Sequence, residues 1–443
     1  MGTYLSRTPA SSVAAERRKF TFSCWYKRCQ NGASSNLIAG DISGSSYTYL
    51  AIQSDDTIRF RLYDGGNRAD IQSNDVFRDP ASWYHFVLQF DSTQSTSTDR
   101  VKIYVNNRQI TSLQANTYPS QDYSSWINHN VEQRINSATD AYSYYAEVHQ
   151  TGNQIYAPSS FGETDSTTGE WKPKSVSGLS YGTNGFHLKF ENAGAMGTDS
   201  SGNSNTFTVN NAGTNPQVTD TPSNVFMTMN PLASGSRGSF SRGNTKVQLN
   251  LQGSVPYGQV EFGTFAVNKG KWYFEVKNLS AGGGGKMGLG ISEKWETNQY
   301  INGHNNVGSV GNAFYSNQGD VRIGSGSDQT ASSYTDNDII GVAFDLDNSK
   351  VYFHKNGSYQ RSGDPANGTG GDTLTSSYND YWTPWITKDS DNSAHNPTVE
   401  FNFGNPAFSI SSGNADASGF GNFEYAVPSG YFALCTKNLN TYG

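Results

Sequence analysis

The stretch WYHFVLQFD at residues 83–91, followed after a polar loop by RVKIYVNNRQ at 100–109, predicts a β-hairpin. An apolar strand ends in Phe-Asp, and the strand after the loop alternates aromatic and β-branched residues with polar ones before an Asn-Asn turn. The second half of the chain repeats this arrangement in DIIGVAFDLD at 338–347 and KVYFHKNGSYQ at 350–360. In each hairpin the apolar side chains would face a core, and the Lys and Asn residues would face water. The repeated unit indicates antiparallel sheets in both halves.

Alternation continues outward from these two hairpins and predicts strands over much of the chain. YTYLAI at 47–52 and TIRFRLY at 57–63 form a further predicted hairpin, with Asp55-Asp56 at its turn. Other predicted strands are FTFSCWY at 20–26, GFHLKF at 185–190, NTFTVN at 205–210, KVQLNL at 246–251, KWYFEV at 271–276, KMGLGIS at 286–292 and TVEFNF at 398–403. Residues 113–145 lack the pattern and are expected to be irregular.

Length and composition favour two β-sandwich domains. The chain has 443 residues, which is longer than one hydrophobic core usually grows. Only 16% of the residues are charged and 13% are aromatic, a balance typical of short strands joined by many loops. The predicted fold class is therefore all-β, with two antiparallel β-sandwiches. We expect the first domain at 1–210, a linker rich in Pro, Gly, Ser and Asn at 211–238, and the second domain at 239–443.

Charge and hydropathy exclude several classes of partner. A net charge of -7 provides no basic field for a phosphate backbone, so no nucleic-acid partner is predicted. No apolar run approaches the ~18 residues of a spanning helix, so no membrane insertion is predicted. Three cysteines, an odd number, are expected to be reduced thiols, which suits assembly in a reducing cytoplasm. No heptad repeat predicts a coiled coil.

Both halves resemble known domain families, and both families are β-sandwiches of the jelly-roll type. The first half resembles concanavalin A-like, laminin-G-type domains in FTFSCWYKR at 20–28, FRDPASWYHFVLQFD at 77–91, DRVKIYVNNRQI at 99–110 and DSSGNSNTFT at 199–208. The second half resembles SPRY domains in GKWYFEV at 270–276, MGLGIS at 287–292, NDIIGVAFDLDNSKVYFHKNG at 337–357 and YWTPWI at 381–386.

The order of motifs along the chain is similar to that of structural proteins of marine tailed bacteriophages, cyanophages in particular. The motifs in question are YLSRTP at 4–9, APSSFGETDSTTGEWKPK at 157–174, YGTNGFHLKF at 181–190 and PSGYFALCTKNL at 428–439. The resemblance implies a protein of the virion, on the tail or the capsid exterior, that is assembled in the host cytoplasm. Its implied partners are other virion proteins, and a homotrimer is the oligomer expected of a fibre component.

The motifs that would carry catalysis are incomplete. Glycan hydrolases on a concanavalin-type sandwich need carboxylates spaced E-x-D-x-x-E. The nearest match is Glu163 and Asp165, but Thr168 stands where the second Glu belongs, and the segment is predicted to be a loop. The glycine-rich SAGGGGKMG at 280–288 is not a phosphate loop, because Met287 replaces the Ser or Thr and a strand follows. We therefore predict no enzyme and assign no catalytic residue.

The residues that commonly bind metals show no metal-site spacing. The seven histidines are scattered, and His85, His187 and His354 are predicted to be ordinary sheet residues. The resemblance to laminin-G-type domains allows a calcium ion, for which Asp41 and Asp199 lie in suitable loops. Such loops are also ordinary turns, so no calcium ligand is assigned and no cofactor is predicted.

The candidate ligand-binding residues are Trp295, Tyr300 and His304, in EKWETNQYINGHNN at 293–306. In SPRY domains, loops at one end of the sandwich form the binding surface, and this stretch follows a predicted strand. Aromatic side chains with hydrogen-bonding edges suit sugar rings or a protein patch. The alternative is that these aromatics pack beneath their own loop.

Three hypotheses for function follow. The first is a non-enzymatic virion structural protein, a tail fibre or appendage component that contacts host surface glycan or other virion proteins. The second is a capsid decoration or tail adaptor protein with a purely assembly role. The third, a glycan hydrolase, is disfavoured by the incomplete carboxylate motif.

Overall fold

The chain is described here by a computed structural model that covers residues 3–136, 143–213, 217–233, 238–250, 259–282, 285–293, 311–376, 381–388 and 396–443. It divides into two compact units. The first unit comprises Met1–Gln217 and Thr221–Ser223, and the second comprises Val218–Asp220 and Asn224–Gly443. Strands dominate both units, which confirms the all-β fold class. No helix in the described part of the chain is long and apolar enough to cross a membrane.

The first unit is built from short strands and one short helix. Its strands are β1 (Tyr4–Arg7), β2 (Lys19–Arg28), β3 (Ser35–Ser43), β4 (Ser46–Ile52), β5 (Thr57–Asp64), β6 (Asn67–Val76), β7 (Trp83–Asp91), β8 (Val101–Val105), β9 (Arg108–Gln109), β10 (Leu113–Thr117), β11 (Glu132–Ile135), β12 (Ser143–Gly152), β13 (Gly162–Thr164), β14 (Trp171–Pro173), β15 (Phe186–Leu188) and β16 (Thr208–Asn210). Its helix is α1 (Ala14–Arg18), and 3₁₀ turns occur at Ser97–Asp99 and Pro158–Ser160.

Two antiparallel sheets enclose the core of the first unit. One has the strand order β10-β6-β5-β4-β3-β11-β1-β16, and the other has the order β15-β12-β2-β7-β8-β9. Alternate side chains of both sheets meet in one buried cluster, for example Phe22 and Leu88 from one sheet with Leu50 and Phe60 from the other. The intervening side chains therefore lie on the two outer faces.

The second unit is a second sandwich with its own core. Its strands are β17 (Gly238–Ser241), β18 (Lys246–Leu249), β19 (Gln259–Phe262), β20 (Lys271–Ser280), β21 (Met287–Ser292), β22 (Asn312–Ser316), β23 (Asp320–Ile323), β24 (Gln329–Thr330), β25 (Ile339–Asp345), β26 (Lys350–Lys355), β27 (Ser358–Tyr359), β28 (Asp372–Thr373), β29 (Thr383–Lys388), β30 (Thr398–Asn402) and β31 (Phe432–Ala433), and its helix is α2 (Thr436–Tyr442). The sheet β17-β18-β30-β20-β25-β26-β27 and the sheet β19-β29-β21-β22-β23-β24 contribute to one buried cluster that includes Phe274, Leu289 and Phe401.

The predicted hairpins are present. β4 pairs with β5, and Asp56 at their turn has a φ of 71°. β7 pairs with β8, and Asn106 and Asn107 after β8 have φ values of 46° and 67°. Asparagine adopts such left-handed conformations more readily than most residues, which explains the Asn-Asn turn. The expectation that residues 113–145 are irregular is confirmed for 118–131 and wrong for 113–117 and 132–135, because β10 and β11 form there from short polar sequences that do not alternate clearly.

The stretch 211–238, expected to be a linker, contributes to the second core. Met227 and Met229 are fully buried in that core. The Met227 amide donates to Leu434 O at 2.9 Å, and the Met229 amide donates to Asn244 O at 3.0 Å. A few apolar residues in a Pro- and Ser-rich segment were enough to pack, although they show no alternation.

The three cysteines are reduced thiols, as expected. Cys24, Cys29 and Cys435 are all buried. Burial raises the pKa of the Cys435 thiol to about 11, so this side chain is a small apolar core group with little thiolate character.

Candidate functional site

The outer face of the eight-stranded sheet carries a row of aromatic and basic side chains on β4 and β5. We call Tyr47, Tyr49, Arg59, Arg61 and Tyr63 the tyrosine-arginine face. All five are partly exposed. They lie outside because the residues between them on these strands point into the core.

Three tyrosine rings of this face form one stack. The Tyr47 ring lies 5.7 Å from the Tyr49 ring and 5.4 Å from the Tyr63 ring, with interplanar angles of 11° and 13°. Tyr47 and Tyr63 are direct cross-strand partners, which explains their contact. The three rings are thus nearly parallel and partly exposed, so both ring surface and hydroxyl groups are available for contact with a ligand.

The two arginines of the face differ in their engagement. Arg59 donates through Nε to Asp70 Oδ1 at 2.6 Å and also binds the second carboxylate oxygen, and this hydrogen bonding raises the pKa of Arg59 above its ordinary value. The Arg61 guanidinium carbon lies 5.5 Å from the centre of the Tyr63 ring. Its Nε is buried without a hydrogen-bond partner among the described residues. Unlike Arg59, which is paired with Asp70, Arg61 makes no ion pair with a carboxylate among the described residues, so Arg61 is the cation of this face whose charge is not neutralised.

A second group of polar side chains lies on the outer face of the six-stranded sheet. We call Glu147, His149 and His187 the histidine cluster. Glu147 Oε2 lies 2.7 Å from His187 Nε2 and 3.7 Å from His149 Nε2. The two imidazole rings stack, with centroids 3.9 Å apart. His149 and His187 are buried, whereas the Glu147 side chain is 34% exposed.

A β-bulge places Glu147 in this cluster. Along the β12–β2 pairing, Ala146 faces Trp25 and His149 faces Ser23, so two residues of β12 oppose the single residue Cys24. Without the extra residue, Glu147 would point into the apolar core beside Cys24. Glu147 instead adopts a φ of 47° and turns outward.

The surroundings of the cluster control its charges. His149 Nδ1 lies 2.9 Å from the Tyr181 hydroxyl, and the Phe161 ring lies 5.2 Å from the His149 ring. Burial is the main reason why the pKa of His149 falls to about 4, so the ring is neutral at pH 7. Burial raises the pKa of Glu147, but the interactions with the two imidazoles outweigh that effect and lower the pKa to about 2. The cluster thus combines a carboxylate with a neutral imidazole.

The other predicted sheet histidines have structural partners. His85 lies between Ser23 Oγ at 2.8 Å and Trp171 Nε1 at 3.0 Å, and burial lowers its pKa to about 3. His354 accepts from the Gly357 amide at 3.1 Å and lies 2.8 Å from the Tyr273 hydroxyl. His85 and His354 are sheet residues, as predicted.

His187 is also a sheet residue, but the prediction missed its partners. Spacing along the sequence did not reveal the cluster because β15 brings His187 to His149 from 38 positions away, a separation that follows from their direct pairing. The sequence feature that could have indicated the cluster is Glu147-x-His149, because residues two positions apart on a strand lie on the same face.

The sequence also indicated candidate ligand-binding residues and candidate carboxylates. Trp295, Tyr300 and His304 lie outside the described residues. The segment with Glu163 and Asp165 is predicted to be a loop, but in the structure it forms the hairpin β13–β14. Lys172 on β14 lies across from Glu163 in this pairing and donates to Asp165 Oδ2 at 2.7 Å.

Asp199, considered for calcium, has its carboxylate satisfied by protein donors. The amides of His187 and Ser201 donate to Oδ1 at 2.8 and 2.9 Å, and the Asn205 amide donates to Oδ2 at 2.7 Å. The other calcium candidate, Asp41, is an exposed residue of β3 and not of a loop. Asp199 therefore serves as a turn cap.

Comparisons with known proteins identify two domain types. Residues 2–149 match a family model described as the concanavalin A-like lectin/glucanases superfamily, and residues 271–365 match a SPRY domain model. No curated protein matches the chain significantly.

Several solved SPRY domains are similar to part of the chain. The SPRY domain of human HERC1 is 17% identical, with 39% of this chain and 96% of that chain covered and a TM-score of 0.29. The TRIM65 PSpry domain is 16% identical, with 40% and 89% covered and a TM-score of 0.29. A further human SPRY domain is 15% identical, with 37% and 94% covered and a TM-score of 0.25.

Proposed function

We propose that this chain, which combines a concanavalin A-like domain with a SPRY domain, is a non-enzymatic binding protein on the exterior of a virus particle. In this proposal it contacts host surface glycan through the tyrosine-arginine face of the first unit. Both domain types are ones that commonly bind proteins or glycans. The similarity in motif order to structural proteins of marine tailed phages supports the virion, on the tail or capsid exterior, as the location.

The observation that carries the proposal is the partly exposed stack of Tyr47, Tyr49 and Tyr63 beside Arg61. Surface tyrosine and arginine are the residues that most often anchor interfaces. We infer that recognition proceeds through contact with the rings and through hydrogen bonds from the tyrosine hydroxyls and the guanidinium. A glycan with hydroxyl and carboxylate groups matches those donors, and Arg61 favours acidic sugars.

The carboxylates of the β13–β14 hairpin support a non-enzymatic role. Asp165 accepts hydrogen bonds from Lys172 and from the amides of Thr167 and Thr168. A carboxylate held in this way lies in a turn and has a depressed pKa, with the Lys172 hydrogen bond as the largest cause. It is unsuited to act as a general acid at neutral pH.

The test is a glycan array with matched arginine variants. Wild-type protein should bind acidic glycans, and Arg61→Gln should reduce that signal at least tenfold, because a charged hydrogen bond contributes about 1.5–3 kcal/mol. Arg108→Gln is the control, since Arg108 is exposed in the same unit and pairs with Asp75 at 2.7 Å.

Two outcomes of the array would count against the proposal. Equal loss in both variants would indicate a nonspecific charge effect. A wild-type array without signal would contradict the glycan contact and favour the assembly role, in which the partner is a neighbouring virion protein.

A further inference from the structure

The histidine cluster has the donor atoms of a transition-metal site. Among the residues that the structure describes, Glu147, His149 and His187 form the one group of three His, Cys, Asp or Glu residues whose ligand atoms all lie within 4.8 Å of one another. They provide two imidazole nitrogens and one carboxylate oxygen. This mixture suits zinc and neighbouring divalent transition metals, whereas calcium and magnesium prefer oxygen ligands alone.

The distances within the cluster are close to those that a metal requires. Ligand atoms at ~2.0–2.1 Å from a tetrahedral zinc ion lie roughly 3.3 Å from one another. The carboxylate oxygen of Glu147 lies 2.7 Å from one imidazole nitrogen and 3.7 Å from the other. The two carboxylate–imidazole distances bracket that value. The two rings, now stacked with centroids 3.9 Å apart, would have to tilt apart so that both Nε2 lone pairs converge on the ion, and the proton between Glu147 and His187 would be displaced.

One nitrogen in the cluster is unsatisfied. His149 is 1% exposed, and its Nε2 has no hydrogen-bond partner among the described residues although it faces the Glu147 carboxylate. A buried polar atom without a partner is unfavourable. With the proton on Nδ1, which lies 2.9 Å from the Tyr181 hydroxyl, Nε2 presents a lone pair to a carboxylate. A cation between them would satisfy both atoms.

The contact with Tyr181 matches a further feature of metal sites. Metal-binding histidines almost always donate their second ring N–H to an oxygen, which fixes the tautomer and the ring orientation. The bulge adds independent support, because it keeps Glu147 in an unfavourable left-handed conformation while directing its carboxylate to the two histidines.

We propose that Glu147, His149 and His187 bind one divalent transition-metal ion of the zinc class, with Glu147 Oε2, His149 Nε2 and His187 Nε2 as ligands. Three protein ligands leave a coordination position for water or an external group. Tyr181 is a positioning residue that orients His149. The site differs from a calcium site in its donors, since calcium prefers oxygen ligands alone.

The first test uses untagged, EDTA-treated full-length protein titrated with zinc chloride in a calorimeter at neutral pH. We expect one ion per chain, with a Kd of about 10 μM or tighter. Cobalt chloride should produce the visible absorption of a low-coordinate site, and zinc should abolish it. Absence of stoichiometric zinc binding would overturn the proposal.

Variants locate the site. His149→Ala and His187→Ala should each weaken zinc binding at least tenfold, and Tyr181→Phe should weaken it about tenfold through loss of orientation. His129→Ala is the control, since His129 belongs to the same unit but stacks on Trp126, away from the cluster. Equal binding by the control and the cluster variants would contradict the assignment.

A diffraction experiment decides the matter if a variant fails to fold. Crystals of the wild-type protein soaked in zinc chloride, with data collected at the zinc edge, should show an anomalous peak within bonding distance of Glu147, His149 and His187. A peak elsewhere, or no peak, would overturn the proposal.

Discussion

His149 on β12 and His187 on β15 are direct cross-strand partners, and their rings stack with centroids 3.9 Å apart. The relationship depends on the register of β12 and β15, and a one-residue bulge lies next to it, where β12 pairs with β2. The bulge turns Glu147 away from the core and into contact with both rings. The histidine cluster is thus a product of strand pairing, and changes to the bulge should act on the cluster before they act on the fold.

The left-handed conformation of Glu147 can be tested by two variants that both lack the carboxylate. Glu147→Gly should be more stable than Glu147→Ala by about 1 kcal/mol, because a φ of 47° strains any residue with a Cβ atom. Equilibrium urea unfolding measures the difference. If the alanine variant is as stable as the glycine variant, the bulge conformation is wrong.

The buried ion pair between Arg28 and Asp56 should be far more important for stability than its exposed neighbour. Arg28 Nη1 lies 2.7 Å from Asp56 Oδ1, and the two side chains are 1% and 8% exposed. Asp56→Ala should destabilise the first unit by about 3 kcal/mol, because it leaves a buried cation without its counter-charge.

Arg78→Ala is the matched control for that pair. Arg78 Nε lies 2.6 Å from the same carboxylate, but its side chain is 57% exposed. Arg78→Ala should lower the free energy of unfolding of the first unit by less than about 1 kcal/mol. Similar urea midpoints for the two variants would contradict the difference in burial.

The Glu261 carboxyl should make the second unit less stable as the pH rises. Glu261 is 1% exposed, and burial raises its pKa to about 8, against a small opposing effect of the Gly238 amide. Between the ordinary value of 4.5 and about 8, the folded chain holds a proton that the unfolded chain has released. The free energy of unfolding therefore falls as the pH rises through this window and levels off above it.

Glu261→Gln isolates that contribution, because the amide has no proton to release. Between pH 5 and pH 8.5, we expect the free energy of unfolding of the wild type to fall by a few kcal/mol relative to that of Glu261→Gln. This is roughly 1.4 kcal/mol for each unit of pKa shift. Thermal unfolding at a series of pH values gives this difference. Glu163→Gln is the control, because the Glu163 side chain is 54% exposed, and it should not change the pH dependence of stability. If stability depends on pH in the same way in wild type and Glu261→Gln, the buried, protonated state of Glu261 is contradicted.

The Tyr273 hydroxyl should stabilise the second unit through two buried partners. It lies 2.9 Å from Glu275 Oε1 and 2.8 Å from His354 Nε2. Tyr273→Phe leaves both partners short of one hydrogen bond and should cost about 1–3 kcal/mol. Phe353→Leu, on β26 of the same sheet, serves as a volume control in urea unfolding. An unchanged midpoint for Tyr273→Phe would show that the hydroxyl contributes nothing to stability.

Local sequence predicted the hairpins but could not predict the histidine cluster. The β4–β5 turn follows from Asp55-Asp56 and the turn after β8 follows from Asn106-Asn107, since such residues tolerate the required backbone conformations. The side-chain row on β4 and β5 also follows from alternation, once one face is assigned to the core. The histidine cluster does not follow from alternation. It depends on which distant strand pairs with β12 and on a bulge that interrupts the alternation.

Oxidative footprinting of the tyrosine-arginine face tests the central claim most directly, since it needs no variant. Hydroxyl radicals would be generated with the full-length protein alone and with the acidic glycan that the array selects, and oxidation would be measured by mass spectrometry. We predict that bound glycan lowers the oxidation of Tyr47, Tyr49 and Tyr63 several-fold and leaves Tyr104, on the other sheet, unchanged. Glycan binding with these three tyrosines still fully oxidised would contradict the account.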